Sequence, residues 1–365
     1  MSYKVLLLFS SSELGGTEKS LTRMSSIPSN VDYYHATLDG EGPWCEWVRK
    51  LGFFPLVLGR SNKNKKNKKI GIGKIFSLVS YVKKKKIDII YVCGFRAALI
   101  LRFVKVFLPK VKLVQGIRWN PNSKSLLDYV FRFVERYLFR LVDKYIANSE
   151  AAAETLFVRC KIPKEKIKVI YNGISSNQQK IIPLNKRPLE VLTVANINPR
   201  KGHAEYLKVI KIVLAKIPNV KFIFVGRDDM KNKIQEIAIK EKLSGAIKFE
   251  GFQKNVSKYF ERARVFALPS LWGEGCPTSI IESYTWGVPV VAYKIDGISE
   301  LIENEVDGFL VKLMDHENFA YNIISLLNDV NLSLDYGQKG KKKVKENFLL
   351  EKCSEEHVKC FQNLN

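Results

Sequence analysis

The sequence has few of the features that mark secreted, metal-binding or membrane-spanning proteins. Its six cysteines are scattered without a C-x-x-C pair, and its four histidines show no metal-ligand spacing. An Asp-x-Asp pair and a G-x-S-x-G motif are also missing. No uncharged stretch could span a bilayer, and the opening MSYKVLLLFSSS predicts a buried strand rather than a signal peptide. We therefore expect a soluble, cytoplasmic protein without a disulfide framework or a metal site.

Acidic residues are scarce in the first half of the chain. Residues 1–185 hold 33 Lys and Arg against 13 Asp and Glu, and the formal net charge of the whole chain is +24. Residues 51–118 hold 17 basic side chains and a single acid, Asp88, with two lysine runs, KNKKNKK and KKKK. Such a field attracts nucleic acid, anionic lipid or phosphorylated substrates. Solvated lysines on surface loops would give the same composition, so the runs alone leave both interpretations open.

The pattern that is present is an alternation of short apolar runs with stretches of helical length. A chain of 365 residues, 46% of them hydrophobic, favours two domains. Runs such as KVLLLF, IDIIYVCG, EVLTVAN and VKFIFVG alternate with amphipathic helices, which predicts an α/β protein with doubly wound parallel sheets. We expect two Rossmann-like domains facing each other across a cleft, with the boundaries 1–180 for the first domain, 175–189 for a linker, 190–340 for the second domain and 341–365 for a helical tail.

The segments at the expected strand ends of the second half are rich in glycine and polar residues. They read ANINPRKG, VGRDD, EGFQK, PSLWGEG and YKIDG. Because ligands of open parallel sheets bind outside the carboxyl ends of the strands, these segments predict a single binding rim.

The segment EGCPTSIIE, residues 274–282, carries two carboxylates at this rim. Glu274 falls in a loop and Glu282 in the following helix, which puts them on the order of 10 Å apart. This separation is too long for a hydrolase pair acting on one bond, but it suits the two ends of an extended ligand. The N–H groups at the start of the helix would bind an anion between them. Alternatively, Ser279 and Glu282 form a capping box, with Ser279 as the N-cap.

Two further segments could contact an anionic ligand. Lys201 stands where a strand end turns into a helix near Gly202, and there it can reach phosphates, with Arg200 beside it. Near the N-terminus, Gly15 and Gly16 open a helix after the first strand and allow a ligand to approach the backbone closely. The glycine pattern there is not G-x-G-x-x-G, so a dinucleotide site is poorly supported.

The segment SLLDYVFRFVERYLFRLVDKYI, residues 125–146, places basic and aromatic residues together. Its spacing predicts one helix with a stripe of Arg132, Arg136, Arg140 and Lys144 beside several aromatic side chains. This pattern is typical of a helix that lies on a membrane surface. It is also the pattern of an ordinary amphipathic helix that covers a sheet, which is the commoner case, and the sequence leaves both open.

Five of these segments together resemble the GT-B retaining glycosyltransferases of family 4, also called group 1. EGCPTSIIE looks like the E-x7-E motif of that family, and it is followed by WGVPVVAYKIDGISELI. VANINPRKGHAEYL looks like the donor segment of the family, LGGTEKSL like its Gly-Gly-x-Glu turn, and YIANSEAAAETL with KIKVIYNGI like its hinge-side pattern. The five occur in the family's order, over nearly the whole second half and the first turn of the chain.

The resemblance implies a nucleotide-diphosphate-sugar donor on the second domain and an acceptor on the first. Glu274 would hold hydroxyls of the donor sugar and Lys201 its diphosphate, and these two are the expected catalytic residues. The other residues expected at the donor are Glu282 for the ribose, Arg200, Asn196, Gly15, Gly16, Gly275, Cys276, Pro277, Thr278, and Phe252 near the base. Asn196 stands where the family usually has an arginine, and Arg200 is expected to compensate. Arg96 and Arg118 are the expected acceptor-side residues.

The expected reaction is retaining transfer of a sugar, without a metal or other cofactor, to a lipid-linked or anionic glycan acceptor. It would serve the synthesis of a cell-surface polysaccharide or glycolipid. The basic first half suggests a peripheral position on the inner face of the cytoplasmic membrane. Two alternatives remain: a GT-B-like epimerase of nucleotide sugars, and a polyanion-binding protein without enzymatic activity. A nucleic-acid partner is not expected, because no aromatic and basic binding motif accompanies the charge.

Overall fold

The computed structural model describes residues 3–59, 72–175 and 182–364. Two compact units are formed, one by Met1–Gly173 with Leu350–Asn365 and the other by Ile174–Leu349. The lysine run KNKKNKK and residues 176–181 of the expected linker lie outside the described residues. Residues 182–189 of that linker belong to the second unit and include a short 3₁₀ turn, Leu184–Lys186.

The first unit is built on a parallel sheet in the order β3-β2-β1-β4-β5-β6-β7. Its strands are β1 Tyr3–Phe9, β2 Val31–Thr37, β3 Leu56–Val57, β4 Ile89–Cys93, β5 Lys112–Ile117, β6 Lys144–Ala147 and β7 Ile167–Val169. Its α-helices are α1 Gly16–Ser25, α2 Pro43–Lys50, α3 Ile72–Lys85, α4 Phe95–Val104, α5 Leu126–Leu138, α6 Glu150–Val158 and the C-terminal α14 Leu350–Gln362.

The second unit repeats the plan with a parallel sheet in the order β10-β9-β8-β11-β12-β13. Its strands are β8 Glu190–Val194, β9 Lys221–Val225, β10 Ile247–Gly251, β11 Val265–Leu268, β12 Val290–Tyr293 and β13 Gly308–Val311. Its α-helices are α7 His203–Lys216, α8 Lys233–Lys240, α9 Ser257–Arg262, α10 Thr278–Thr285, α11 Ile298–Leu301, α12 His316–Asn328 and α13 Val330–Asn347.

Helices cover both faces of the first sheet, and this explains the continuous apolar runs in its strands. In β1, Leu6 and Leu8 pack into a core with α3, α4, α5 and α6. The alternate residues Val5, Leu7 and Phe9 pack into a second core with α1, α2 and α14. Successive side chains of a strand point to opposite faces, so both faces of β1 must be apolar.

The expected tail at 341–365 is not one element, and its boundary differs from the prediction. α13 continues through residue 341 to Asn347 in the second unit, and only α14 packs on the first unit. α13 stays in the second unit because it packs closely on α10 and on the turn after it. A Cβ on Gly340 would be 2.2 Å from the Tyr284 ring, and one on Gly337 would be 2.1 Å from the Gly287 carbonyl oxygen. Two glycines of α13 therefore allow it to pack against α10, and the hydrophobic spacing of the sequence did not reveal this role.

The single long helix expected over 125–146 is also wrong. α5 ends at Leu138, a 3₁₀ turn follows at Phe139–Leu141, and Lys144 opens β6. Lys144 therefore does not extend a helical stripe. Arg132 donates to the backbone oxygens of Pro121 and Ser123 at 2.6 and 3.0 Å instead of lying free on the surface.

Both sheets reverse their strand order at one point, between β1 and β4 in the first unit and between β8 and β11 in the second. The loops that leave the two strands at such a point diverge and leave a crevice at the carboxyl edge. In the second unit these loops are residues 195–202 after β8 and 269–277 after β11. Among the described residues, no helix is long and apolar enough to cross a membrane.

Candidate functional site

The loops after β8 and β11 are held against each other by backbone contacts. The Leu271 N–H donates to the Arg200 carbonyl at 2.8 Å. Gly202 has φ +69°, and a Cβ there would lie 2.0 Å from the Pro269 carbonyl oxygen. Only glycine allows this left-handed turn to approach the β11 loop so closely. The turn fixes the position of Lys201, the residue that precedes it.

Lys201 and Glu274 form an ion pair at this crevice. Lys201 Nζ lies 2.5 Å from Glu274 Oε1, and the two side chains are 14% and 5% exposed. Arg200 Nη1 lies 3.6 Å from the same carboxylate oxygen and donates to the Gly273 carbonyl at 2.9 Å. Three of the expected site residues are thus brought together across two loops that are 73 residues apart in the chain.

Burial and charge act against each other in this pair. Burial alone would raise the pKa of Glu274, but the charges of Lys201 and Arg200 and the hydrogen bond from Lys201 bring it below its usual range. Burial lowers the pKa of Lys201, and Arg200 adds to this effect while Glu274 opposes it. The carboxylate is therefore ionised at neutral pH, with two basic side chains beside it.

Asp296 positions the carboxylate, although the sequence analysis did not single it out. Its Oδ2 accepts hydrogen bonds from the backbone N–H groups of Gly273 and Glu274 at 2.7 and 3.3 Å. The Gly297 N–H in turn donates to the Glu274 carbonyl at 3.2 Å. Asp296 lies in the segment YKIDG, which was assigned to the binding rim from the sequence. The role of this carboxylate in ordering the neighbouring loop was not predicted.

The helix α10 begins beside Glu274, and the geometry of its first residues excludes the capping box of Ser279 and Glu282. Its N-cap is Pro277, with φ −66° and ψ 110°, and no side chain caps it. Ser279 lies inside the helix, so it does not have the extended backbone that an N-cap requires. Among the described residues, no protein acceptor is found for the Thr278 and Ser279 N–H groups. These donors are available to an anion at the helix N-terminus.

The remaining expected donor residues lie around the same edge of the sheet. Gly275, Cys276 and Pro277 are buried in the loop before α10, and Glu282 is half-buried within that helix. Asn196 Oδ1 accepts from the Arg227 N–H at 3.1 Å, so this amide ties the end of β8 to the end of β9. Phe252 follows β10 directly and is exposed.

In the first unit, Gly15 is the N-cap of α1 and Gly16 its first residue. A Cβ on Gly15 would meet Glu18 Oε2 at 2.5 Å, which shows that the Glu18 carboxyl lies against the start of the helix. Burial raises the pKa of Glu18 to about 7, although hydrogen bonds from the backbone of Glu18 and Gly15 oppose the shift. Glu18 is therefore close to half-ionised at neutral pH, a property that the glycine pattern did not indicate.

Arg96 and Arg118 lie at the carboxyl edge of the first sheet, at the start of α4 and after β5. Arg96 Nη2 donates to the Ser10 carbonyl at 2.7 Å and pairs with Asp39. Arg118 Nη2 donates to Asn172 Oδ1 and, at 3.1 Å, to Ser20 Oγ. The Arg118 Nε and Nη1 atoms are buried without a protein partner, so this guanidinium keeps unused donors.

A cavity of about 690 Å³ lies at the opposite edge of the second sheet, lined by residues such as Lys221 and Ile247. Its charges are compensated locally, since Glu190 pairs with Arg262 and Glu250 with Lys248. Because this is the amino edge of the strands, the crevice at Lys201 and Glu274 is the better candidate site. Among the described residues, no group of three or more His, Cys, Asp or Glu side chains could hold a metal ion.

Known proteins are similar to this chain in sequence and in fold. The chain is 23% identical over 281 residues to the Escherichia coli UDP-Gal:alpha-D-GlcNAc-diphosphoundecaprenol alpha-1,3-galactosyltransferase, with 71% of each chain covered. It is 29% identical over 173 residues to the amylovoran biosynthesis glycosyltransferase AmsK of Erwinia amylovora, which covers 45% of this chain and 42% of that one. The crystal structure of Anabaena Alr3699/HepE in complex with UDP and glucose superposes with a TM-score of 0.85 at 20% identity, over 99% of this chain and 100% of that one.

Two family models match consecutive parts of the chain. The model for glycosyltransferase family 4 matches residues 32–178, and the model for glycosyl transferases group 1 matches residues 175–343. The two sheets, the structural match over nearly the whole chain and the two family matches agree. The chain is a GT-B glycosyltransferase and belongs to group 1, family 4 of these enzymes.

Proposed function

We propose that this glycosyltransferase transfers a sugar from a UDP-sugar donor to a lipid-diphosphate-linked glycan, with retention of the anomeric configuration. The observation that carries the proposal is the Lys201–Glu274 pair, with Arg200 beside it and the uncapped start of α10 next to it. A basic pair next to free helix N–H groups suits a diphosphate, and a buried carboxylate suits sugar hydroxyls.

The choice of UDP and of the acceptor rests on the relatives. The Anabaena protein was crystallised with UDP and glucose, and the name of the Escherichia coli relative specifies UDP-galactose and a diphosphoundecaprenol acceptor. The Erwinia relative is named for the synthesis of amylovoran. By this likeness we assign the chain to the synthesis of a cell-surface polysaccharide or glycolipid. We place it on the cytoplasmic face of the membrane, where it would meet a lipid-linked acceptor.

In the proposed reaction the bond from the anomeric carbon to the diphosphate oxygen breaks and a bond to the acceptor hydroxyl oxygen forms. UDP leaves, and the proton of the hydroxyl is released with it. Lys201 and the start of α10 stabilise the charge that develops on the diphosphate, while Glu274 holds the sugar. Glu282 would bind the ribose and Phe252 would lie near the base. In the first unit, Gly15 and Gly16 remain predictions from the resemblance, and Arg96 and Arg118 remain predictions for the acceptor side.

We further propose that no metal is needed, because the two basic side chains and the helix N-terminus can bind a diphosphate. Turnover should then be unchanged in EDTA. A loss of turnover in EDTA that is restored by Mg²⁺ or Mn²⁺ would contradict this part of the proposal.

Ligand-observed NMR with UDP-, GDP- and ADP-sugars tests the donor directly. We expect UDP-sugars to bind, and Glu282→Gln to weaken that binding about tenfold or more because a charge-assisted hydrogen bond is lost. Glu236→Gln, on the exposed surface of α8, is the matched control and should bind normally. If Glu282→Gln changes stability but not affinity, the ribose role is wrong. Conversion of the donor to a new sugar without an acceptor would identify an epimerase instead.

A further inference from the structure

The helix α5 of the first unit has its carboxylates inside and aromatic side chains outside. Glu135 is fully buried and pairs with Arg102 of α4 at 2.5 Å. It also accepts hydrogen bonds from Tyr145 at 2.6 Å and from Gln115 at 2.9 Å. These polar contacts fasten α5 to the sheet together with the buried Phe131 ring, so the other apolar residues of α5 are not all needed for the core.

The second carboxylate of α5 is buried as well. Asp128 accepts from the backbone N–H of Ser123 at 3.1 Å and from Trp119 Nε1 at 3.3 Å. Both acids of the helix are thus turned inward: Glu135 is paired with a cation, and Asp128 accepts hydrogen bonds from neutral donors. The exposed side of α5 carries no acidic group.

Large apolar side chains occupy that exposed side instead. Phe133 and Tyr137 are 57% and 63% exposed, and their ring centroids lie 4.8 Å apart. Leu126 and Val130 are also exposed, and the spacing of 126, 130, 133 and 137 puts all four on one stripe of the helix. A stripe of this kind normally faces a core, but among the described residues nothing covers it.

Large apolar side chains are also exposed on the neighbouring helices of the same layer. Arg102 joins α4 to α5 through Glu135, and the next residue, Phe103, is 68% exposed. In the 3₁₀ turn after α4, Phe107 is exposed and lies 6.3 Å from the ring of Phe76 on α3. We call Phe76, Phe103, Phe107, Val130, Phe133 and Tyr137 the outer face. Several large apolar side chains exposed on one layer of helices mark an interaction site.

Basic residues accompany the outer face. Arg136 and Arg140 are exposed beside Phe133 and Tyr137, and Lys124 is exposed just before α5. Lys83–Lys86, at and just after the end of α3, are exposed as well. The outer face therefore suits an anionic and apolar partner, and it disfavours a second copy of the same basic surface.

We infer that the outer face docks on the surface of an anionic lipid bilayer, with the aromatic rings at the level of the headgroups and the basic side chains on the lipid phosphates. The proposed function only implies a membrane contact, and this inference assigns that contact to particular residues. Access to a lipid-linked acceptor would explain why the enzyme contacts a membrane, and that part rests on the proposed function. The contact itself is inferred from the exposed residues of the outer face. Failure of either proposal can therefore be seen separately.

Co-sedimentation with phosphatidylcholine vesicles, with and without phosphatidylglycerol, tests this inference on the full chain. We expect binding to vesicles that contain phosphatidylglycerol and a weaker interaction at high salt. The pair of substitutions Phe133→Ser and Tyr137→Ser should lower the partition coefficient about tenfold or more, because two aromatic side chains no longer leave water. The matched control is Ile239→Ser with Tyr321→Ser, which are 63% and 66% exposed on the second unit.

A fluorescent label gives a second measurement that does not depend on folding of the double variant. All six native cysteines are buried, so the variants Phe133→Cys and Tyr321→Cys can each be labelled selectively with an environment-sensitive dye. The fluorescence of the dye at 133 should shift to the blue on anionic vesicles, and that of the dye at 321 should not. UDP binding by NMR should be the same in both double variants.

Three results would overturn the inference. The first is the absence of binding to anionic vesicles at low salt. The second is binding that the substitutions at 133 and 137 leave unchanged, which would indicate a purely electrostatic contact elsewhere. The third is a blue shift of the label at 133 that rises with protein concentration without vesicles, which would indicate a second copy.

Discussion

At the scale of single residues, the enzyme holds ionisable groups in environments that change their protonation. The Lys201–Glu274 pair keeps its carboxylate ionised despite burial, because two basic side chains are close. At Glu18 the opposing backbone hydrogen bonds and the charge of Arg118 are outweighed by burial, so the pKa of this carboxyl is raised. The contrast shows that the position of a carboxyl relative to cations, rather than burial alone, decides its charge.

Glu18 gives a prediction about pH and stability. Its pKa is raised from 4.5 to about 7, so the fold favours the protonated form. The stabilising contribution is complete below pH 4.5 and is lost as the pH rises through 7. Glu18→Gln cannot ionise, and we expect it to raise the free energy of unfolding at pH 8 by about 1–3 kcal/mol, with no gain at pH 4.

Urea unfolding at the two pH values measures this effect. Glu154→Gln, at an exposed position of α6 in the same unit, is the control and should be neutral at both. An equal effect of Glu18→Gln at pH 4 and pH 8 would show that ionisation of this carboxyl is not involved.

The sequence showed which residue types meet at the site but not every contact between them. Lys201 and Glu274 were both expected at the donor, from the strand-end rule and from the resemblance. Their direct pairing depends on the turn at Gly202, which packs on Pro269, and no sequence spacing predicts a contact between loops 73 residues apart. Asp296 was missed for the same reason, because its role is to accept from the backbone of a distant loop.

At the scale of elements, strands were predicted better than helix ends. Fully buried parallel strands give long apolar runs that are read easily. Helix boundaries depend on one or two residues, and Pro277 is an example: its fixed φ ends the loop, so the helix starts one residue before Ser279. The capping box in EGCPTSIIE was a local pattern without the backbone geometry that such a cap needs.

Ser279→Ala tests this assignment. Because Ser279 caps nothing, we expect the free energy of unfolding to fall by less than about 0.5 kcal/mol. The comparison is Asp315→Ala at the start of α12, where the Asp315 side chain accepts from the Asn318 N–H at 3.1 Å. Loss of that cap should cost about 1 kcal/mol in the same urea unfolding experiment. A similar cost at Ser279 would restore the capping box.

At the scale of the whole molecule, the chain crosses from one unit to the other and returns. The first unit is completed by α14, whose Cys353, His357, Cys360 and Phe361 are buried in its core. The sequence predicted a C-terminal helix but not its partner, since amphipathic spacing shows that a helix has an apolar face without showing what that face meets.

Phe361→Ala tests whether the C-terminal helix α14 belongs to the first unit. The side chain is fully buried against Tyr91, with ring centroids 5.9 Å apart, so truncation should cost about 3–5 kcal/mol in the first unit. Hydrogen exchange should report this as faster exchange in β1 and β4, with β8 and β11 unchanged. Tyr321→Ala, exposed on the second unit, should alter neither set. Equal acceleration in both sheets after Phe361→Ala would contradict the assignment of α14 to the first unit alone.

The central claim is that Lys201 stabilises the diphosphate of a UDP-sugar donor while Glu274 holds its sugar. Glu274→Gln alone leaves Lys201 buried without its partner and lowers stability by about 3 kcal/mol. The double variant Lys201→Met with Glu274→Gln removes both charges, so it should regain much of that stability without regaining activity. This pair of variants separates catalysis from folding.

Release of UDP from a UDP-sugar, in the presence of a lipid-diphosphate-linked sugar acceptor in vesicles, is the most direct measurement. We expect release by the wild-type enzyme, and a decrease of about a hundredfold or more in both the single and the double variant. In the single variant Glu274 no longer holds the sugar, and in the double variant Lys201 also no longer stabilises the charge on the departing diphosphate. Undiminished release by the folded double variant would contradict the account.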